Sequence, residues 1–272
     1  MREENTIWNG YNKMLISIGG NSEIDNIVNL GSILVEPQEG EIEFLHVIKL
    51  KYNGQLPKNW REDSHRVKEC NNILQEKGYH SKDEIVTANS IKKGILEEAE
   101  RINADVIVVG WGPKPLGSVS SLVSHLMRKA QSDVIVFKRR GNLRDIKNIV
   151  YPLAKKPSIN RLRLIERFVK NTSANLTFLH VSEDSTESKK RGEMLLHQAI
   201  AEAYELGIEP VSQLVIGDNV FDTIIDISDK YDLMILGPSG GWWLKKTLFG
   251  NKTDKVAANS HCSVLLHKTA VD

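Results

Sequence analysis

The strongest constraint on this chain is that it repeats itself. Phe44-Leu45-His46-Val47 returns as Phe178-Leu179-His180-Val181, a shift of 134 positions. Asp105-Val106-Ile107-Val108-Val109-Gly110 returns as Asp232-Leu233-Met234-Ile235-Leu236-Gly237 after 127, and Val134-Ile135-Val136-Phe137-Lys138 as Val264-Leu265-Leu266-His267-Lys268 after 130. Three blocks in one order at nearly one shift imply duplication of a whole domain, while the periods of about 20 to 50 residues that mark solenoids are absent. The 272 residues give each copy enough chain to bury its own core. The sequence therefore divides into a first domain at 1–140 and a second at 141–272. The join at 139–147 is short and polar and predicts a packed pair.

Within each half the β-rich runs are nearly continuous in Val, Ile and Leu, as in strands buried on both faces of a parallel sheet. Expected strands are Met14 to Ile18, Ile42 to Ile48, Glu84 to Thr87, Val106 to Val109 and Val134 to Phe137. The second half repeats them at Asn148 to Tyr151, Leu176 to Val181, Gln213 to Ile216, Leu233 to Leu236 and Val264 to Leu266. Between strands three and four, Ile91, Ile95, Leu96, Ala99 and Ile102 fall at helical spacing. Ile224, Ile225 and Ile227 do the same in the second half, in a helix that Asp218 or Asn219 can cap. Regular alternation of strand and helix predicts an α/β fold: two tandem Rossmann-like domains, each a five-stranded parallel sheet with helices on both faces.

Composition excludes several function classes. With 36 Lys+Arg against 35 Asp+Glu, the net charge of +1 argues against a nucleic-acid coat. No apolar run approaches the roughly 18 residues of a membrane span, and the first residues carry no signal core, so the expected place of this chain is the cytosol. Cys70 and Cys262 show neither pairing nor metal spacing and read as buried thiols of a reducing compartment.

Ligands of open parallel sheets settle beyond the carboxyl ends of the strands. There the second half carries Gly237-Pro-Ser-Gly240, nine residues, then Gly250-Asn251-Lys-Thr253. Glycines let a backbone approach a phosphate, and amides at a helix start bind anions. In the first half six residues separate Gly110 from Gly117-Ser118-Val119-Ser120, against twelve between Gly237 and Gly250. With Pro113 and Pro115 in it, that loop is too short and stiff to wrap a triphosphate.

Gly237-Pro-Ser239-Gly-Gly241 also spells the hydrolase elbow, with Asp254 and His261 or His267 as nominal partners. The following Gly-Gly-Trp242-Trp243 and the small sheet disfavour it. A P-loop is ruled out because no glycine precedes Lys246-Thr247. His46 and His180 end equivalent strands without partners at ligand spacing, which favours structural hydrogen bonds over a metal. Trp242-Trp243 suits an interface anchor or a local cover. From Lys138 to Lys170, eleven Lys or Arg face two acidic residues. Such a strip can meet anionic lipid head groups or an acidic partner, or can be a solvated face.

The glycine turn, the nine-residue interval, the strand order and the repeat together resemble the universal stress protein family, whose loop reads Gly, two residues, Gly, nine residues, then Gly with Ser or Thr. Over about residues 13 to 269 this resemblance implies tandem nucleotide-fold domains, with Gly237, Gly240, Gly250, Asn251 and Thr253 as the loop contacts if a nucleotide binds. Asn251 replaces the family hydroxyl. The family's nucleoside-binding Asp after the first strand aligns with Gly19 and Ala154, so neither half has the carboxylate. That loss costs on the order of 1.5 to 3 kcal/mol, roughly tenfold to a hundredfold in affinity.

More narrowly, the degenerate loops and Gly110-Trp111 are similar to the cytoplasmic carboxyl-terminal domains of secondary transporters in the amino acid, polyamine and organocation superfamily, above all the prokaryotic cation–chloride cotransporters. This likeness implies a non-enzymatic regulatory and assembly domain with no catalytic residue, metal or resident cofactor. It would lie on the cytoplasmic side of the membrane, contact a transport domain of the same polypeptide and form a homodimer. The alternative is a free-standing tandem stress protein that binds ATP in its second half.

Overall fold

The computed structural model describes residues 10–19, 24–111, 116–141, 143–237 and 252–270, apart from the side chains of 116–120, 144 and 252–254. The first half runs β1 (Lys13–Ser17), α1 (Ile24–Leu34), β2 (Glu41–Lys49), α2 (Trp60–Glu76), β3 (His80–Ala88), α3 (Ile91–Ile102), β4 (Val106–Gly110), α4 (Leu116–Lys129) and β5 (Asp133–Lys138). The second repeats it as β6 (Asn148–Pro152), α5 (Ile159–Thr172), β7 (Asn175–Ser182), α6 (Thr186–Glu205), β8 (Val211–Ile216), α7 (Val220–Ile227), β9 (Leu233–Leu236), α8 (Lys252–Asn259) and β10 (Ser263–Lys268). No helix among the described residues is long and apolar enough to cross a membrane.

Each half orders its strands 3-2-1-4-5 in parallel, as the alternation of strand and helix predicts. Successive strand residues feed opposite cores. Met14 and Ile16 join α1, α2, α5 and α6 on one face, while Leu15, Leu45 and Val47 join α3, α4 and α7 on the other. Asn219 caps α7, its Oδ1 accepting from the amides of Phe221 and Asp222.

The two sheets do not stay separate. β5 and β10 pair antiparallel, with Leu265 opposite Phe137 and Leu266 opposite Val136, so ten strands form one continuous sheet. Each is an edge strand of its own half with an uncharged apolar run, and pairing them removes two exposed edges at once.

The repeated blocks owe their polar residues to this construction. Asp105 Oδ2 accepts from the amides of Asn12 (2.9 Å) and Lys13 (2.8 Å), and Asp232 Oδ2 from those of Lys147 and Asn148 (both 2.8 Å). Each aspartate ties the start of the fourth strand to the start of the first. Lys138 reaches across the seam to the carbonyls of Ala257 (2.7 Å) and Ala258 (2.6 Å) at the end of α8, and Lys268 to that of Ala130 (3.2 Å) after α4. A cation there satisfies orphan carbonyls and complements the helix dipole. Burial, then the Arg140 charge, push the Lys138 ammonium below its usual range.

One end of the seam carries a polar cluster. The Tyr11 hydroxyl donates to Asp133 Oδ2 (2.9 Å) and lies 3.2 Å from His267 Nε2, which is itself 3.0 Å from the same carboxylate oxygen. The Ala270 amide donates to Asp133 Oδ1 (2.7 Å). Burial raises the Asp133 carboxyl, but His267, Ala270 and Tyr11 outweigh it and hold the group below its ordinary range.

Two outcomes follow from the seam. Lys138→Met should cost about 1–2 kcal/mol in urea unfolding, and a variant as stable as the parent would refute the capping role. A carboxyl depressed on folding stabilises above its unfolded pKa and loses that contribution as pH falls through the folded one. The parent should therefore lose stability faster than Asp133→Asn on acidification below about pH 4, and parallel acid unfolding curves would contradict it.

Candidate functional site

The parallel order places a crevice beyond the carboxyl ends of β1 and β4, and another beyond β6 and β9, where the chain turns to opposite faces. The first-strand side of each crevice is fixed by matching bonds. The Ile18 amide donates to the Leu45 carbonyl (2.8 Å), and the Leu153 amide to that of Leu179 (2.7 Å). His46 Nδ1–H donates to the Ile18 carbonyl (3.0 Å) and His180 Nδ1–H to that of Leu153 (2.8 Å). A carbonyl only accepts, so this contact puts the proton on Nδ1 in both rings. These histidines brace the strand ends, as their lack of ligand-spaced partners predicts.

Ile18 and Leu153 are thereby equivalent, and Gly19 and Ala154 follow them at exposed positions. The register is settled, with no carboxylate at the residue that follows either strand.

On the fourth-strand side the halves differ. Gly110 ends β4, and a Cβ added there meets nothing within 4 Å among the described residues. A Cβ added at Gly237 would meet Arg161 Cζ at 2.6 Å, Nε at 2.8 Å and Nη1 at 2.8 Å. Arg161 lies in the first turn of α5, is 2% exposed, and donates through Nη2 to the carbonyl of His267 (3.2 Å). The guanidinium rests against the glycine that opens the candidate loop, so a side chain at Gly237 would have to displace the buried Arg161 head group. The first-half counterpart of Arg161, at the Ile18–Leu153 offset, is Asn26. It is also buried and accepts the Leu143 amide on Oδ1 (3.1 Å).

Of the remaining loop residues, Gly240, Gly250 and Asn251 lie outside the described residues, as do Ser239, Trp242 and Trp243; Thr253 sits in the first turn of α8 with its side chain undescribed. Gly112 to Pro115 of the first loop are likewise outside, and Leu116 opens α4.

The basic strip is partly consumed by the fold. Lys138 caps α8, Arg161 is buried, Arg167 pairs with Glu36 (2.8 Å), Lys156 with Glu202 and Lys170 with Glu166. Burial pushes the Cys70 thiol up to about 12 and the Cys262 thiol to about 11, and both are free. Among the described residues no group of three or more His, Cys, Asp or Glu is placed to hold a metal ion. A cleft of about 580 Å³ at the amino ends of β1 to β3, lined by Asn12, Lys13, Glu41, Tyr79 and His80, collects none of the sequence-predicted site residues.

Comparison with known proteins gives this geometry its setting. The sequence model of the universal stress protein family matches residues 10–138 and 145–268. The chain belongs to the universal stress protein family. Among solved structures, a universal stress protein from Archaeoglobus fulgidus DSM 4304 is similar at 21% identity and a TM-score of 0.67, over 95% of this chain and 96% of that one. A putative universal stress protein from Pseudomonas aeruginosa UCBPP-PA14 gives 14% and 0.69, over 96% and 94%. At these identities the likeness is one of fold. A curated relative, the Na(+)/H(+) antiporter NhaS5 of Synechocystis, is 22% identical over 191 residues. The match takes in 65% of this chain but spans only 26% of that relative.

Sequence reasoning missed Arg161, which stood only as one cation in a basic strip. An arginine among Leu162, Leu164 and Ile165 in the first turn of a buried helix was the available signal.

In this universal stress protein fold, Gly237→Ala should destabilise the second half by about 1–3 kcal/mol, because its Cβ collides with a buried guanidinium. Combined with Arg161→Met, the loss should shrink by roughly 1 kcal/mol in a double-mutant cycle. Strict additivity of the two changes would show that the contact carries no energy.

Proposed function

We propose that this chain is a non-enzymatic regulatory and assembly domain of a secondary membrane transporter, of the cation–chloride cotransporter type. It acts on the cytoplasmic side through dimerisation and contact with the transport domain. The observation that carries the reading is the state of the two crevices. Gly19 and Ala154 stand where a nucleoside would need a carboxylate, and Arg161 packs on Gly237 where the phosphate loop begins. A nucleotide fold that has lost its charged acceptors and filled its glycine turn retains its surfaces, and surfaces serve partners.

Support for a transporter setting comes from NhaS5, an antiporter of which the matched part is about a quarter. In this reading β5–β10 pairing makes the two halves one rigid unit, able to transmit a push between membrane-bound neighbours. The exposed cations of the basic strip are available to anionic head groups.

A second reading has one specific observation behind it. The spacing Gly237, Gly240 and Gly250 is that of a phosphate loop, with Asn251 and Thr253 at the helix start. It makes the chain a free-standing tandem stress protein that binds ATP in its second half.

Calorimetric titration with ATP and Mg²⁺ separates the two. The regulatory reading expects no heat at millimolar ATP. Micromolar binding that Gly240→Val abolishes would overturn it in favour of the nucleotide sensor.

A further inference from the structure

Between Ile42 and Ile48, β2 is apolar except at Glu43 and His46, and Glu43 is the acidic interruption of that run. Glu43, Leu45 and Val47 share one face of the strand, the face that α3 covers. At Gly94 the helix comes so close that an added Cβ would meet Val47 Cγ1 at 2.8 Å. One turn on, Glu98 faces Glu43, and one turn further lies Arg101.

Both carboxyl groups are buried, Glu43 at 1% and Glu98 at 5% exposure. The guanidinium group of Arg101 bridges them, pairing with Glu98 and lying 3.4 Å from Glu43 Oε2, so the two carboxyl groups are close neighbours. Lys82 on β3 also takes Glu43 Oε2 (3.0 Å) along with Glu41 (2.6 Å). Every basic contact thus falls on Oε2. Glu43 Oε1 is buried and receives no donor among the described residues.

A buried carboxylate oxygen without a donor is costly, and two carboxylates in contact cannot both ionise cheaply. A proton on Glu43, shared with Glu98, removes both costs. It also balances the charge: three carboxyl groups carrying one proton offset Lys82 and Arg101. We propose that Glu43 and Glu98 hold a single shared proton between β2 and α3, and that its release to solvent loosens α3, giving the first half a built-in proton switch.

The working range follows from the surroundings. Burial first, then the neighbouring Glu98 carboxyl, lift the Glu43 carboxyl to about 7 against the pull of Lys82. Glu98 is raised by burial, but Arg101 and Glu43 bring it below its ordinary value. Other charges face the cluster indirectly: Glu84 of β3 acts on Arg101, and Lys13 of β1 and His80 of β3 act on Glu41. His125 of α4 answers to Lys92, Arg128 and Lys129 and takes no part. A carboxyl raised on folding stabilises the fold below its unfolded pKa, and that contribution is lost as pH rises through the folded one. Loosening therefore comes on the alkaline side of neutrality.

The inference goes beyond either reading of the crevices and needs neither nucleotide nor membrane. Its test uses the whole chain: carboxyl ¹³C titration of Glu43, with hydrogen exchange of α3 at pH 6 and pH 8 corrected for intrinsic rates. Glu43 should titrate near 7, and α3 protection should fall about tenfold while α6 stays unchanged. The near-isosteric Glu43→Gln should flatten that response, and Glu98→Gln should bring the Glu43 titration down. The proposal is overturned if Glu43 titrates near 4.5, if α3 protection is the same at both pH values, or if Glu43→Gln keeps the full response. Should Glu43→Gln fail to fold, the titration and exchange of the unmodified chain decide alone.

Discussion

Everything else in the molecule is arranged around the antiparallel contact between β5 and β10. Without it each half would end in an uncharged apolar edge strand, open to pairing with any other chain. With it, the strand directions of the two halves oppose each other. One edge of the sheet then carries the carboxyl ends of the second half beside the amino ends of the first. This is why Tyr11, at the entry to β1, can touch His267 near the end of β10. The two crevices consequently open at opposite ends of the strands.

The sequence carries the fold almost in full because its signals are local and doubled. Uninterrupted Val and Ile runs mark doubly covered strands, and each expected strand has its counterpart within a few residues. β3 is the largest departure: it begins at His80, four residues before the expected Glu84. Lys82 and Asp83 hid the start of this edge strand, where charges are tolerated because one side is open. Fusion of the two sheets was hidden for another reason. Pairing of β5 with β10 joins segments about 130 positions apart, and no local pattern distinguishes an edge that meets solvent from one that meets its own copy.

The site was legible in part, and the division is physical. Gly237, Gly19 and Ala154 stand where the strand register puts them, because backbone bonds set that register. What occupies the space around them depends on side chains arriving from another helix. Arg161 comes from α5 and is separated from Gly237 by most of the second half, so its contact with that glycine could not be read from spacing. Glu43 gave a visible signal, a charge in the middle of an apolar strand, but its meaning required α3 to be in place.

Duplication supplies the argument for why these two spots matter. Where the first half has the buried pair Glu43 and Glu98, the corresponding positions of the second half are Thr177 and Ile225. Where the second half buries Arg161, the first has Asn26. The same fold is therefore built both with and without each buried charge, so neither is needed to form it. Buried charges are poor sources of stability, since desolvation consumes much of what their pairing returns. A chain that departs from an uncharged solution it uses elsewhere gives up stability at that point, and such departures concentrate where a protein does something besides fold. The first half makes its departure under α3 and the second beside Gly237, at the end of β9. These positions locate the chemistry in which the two copies have become different.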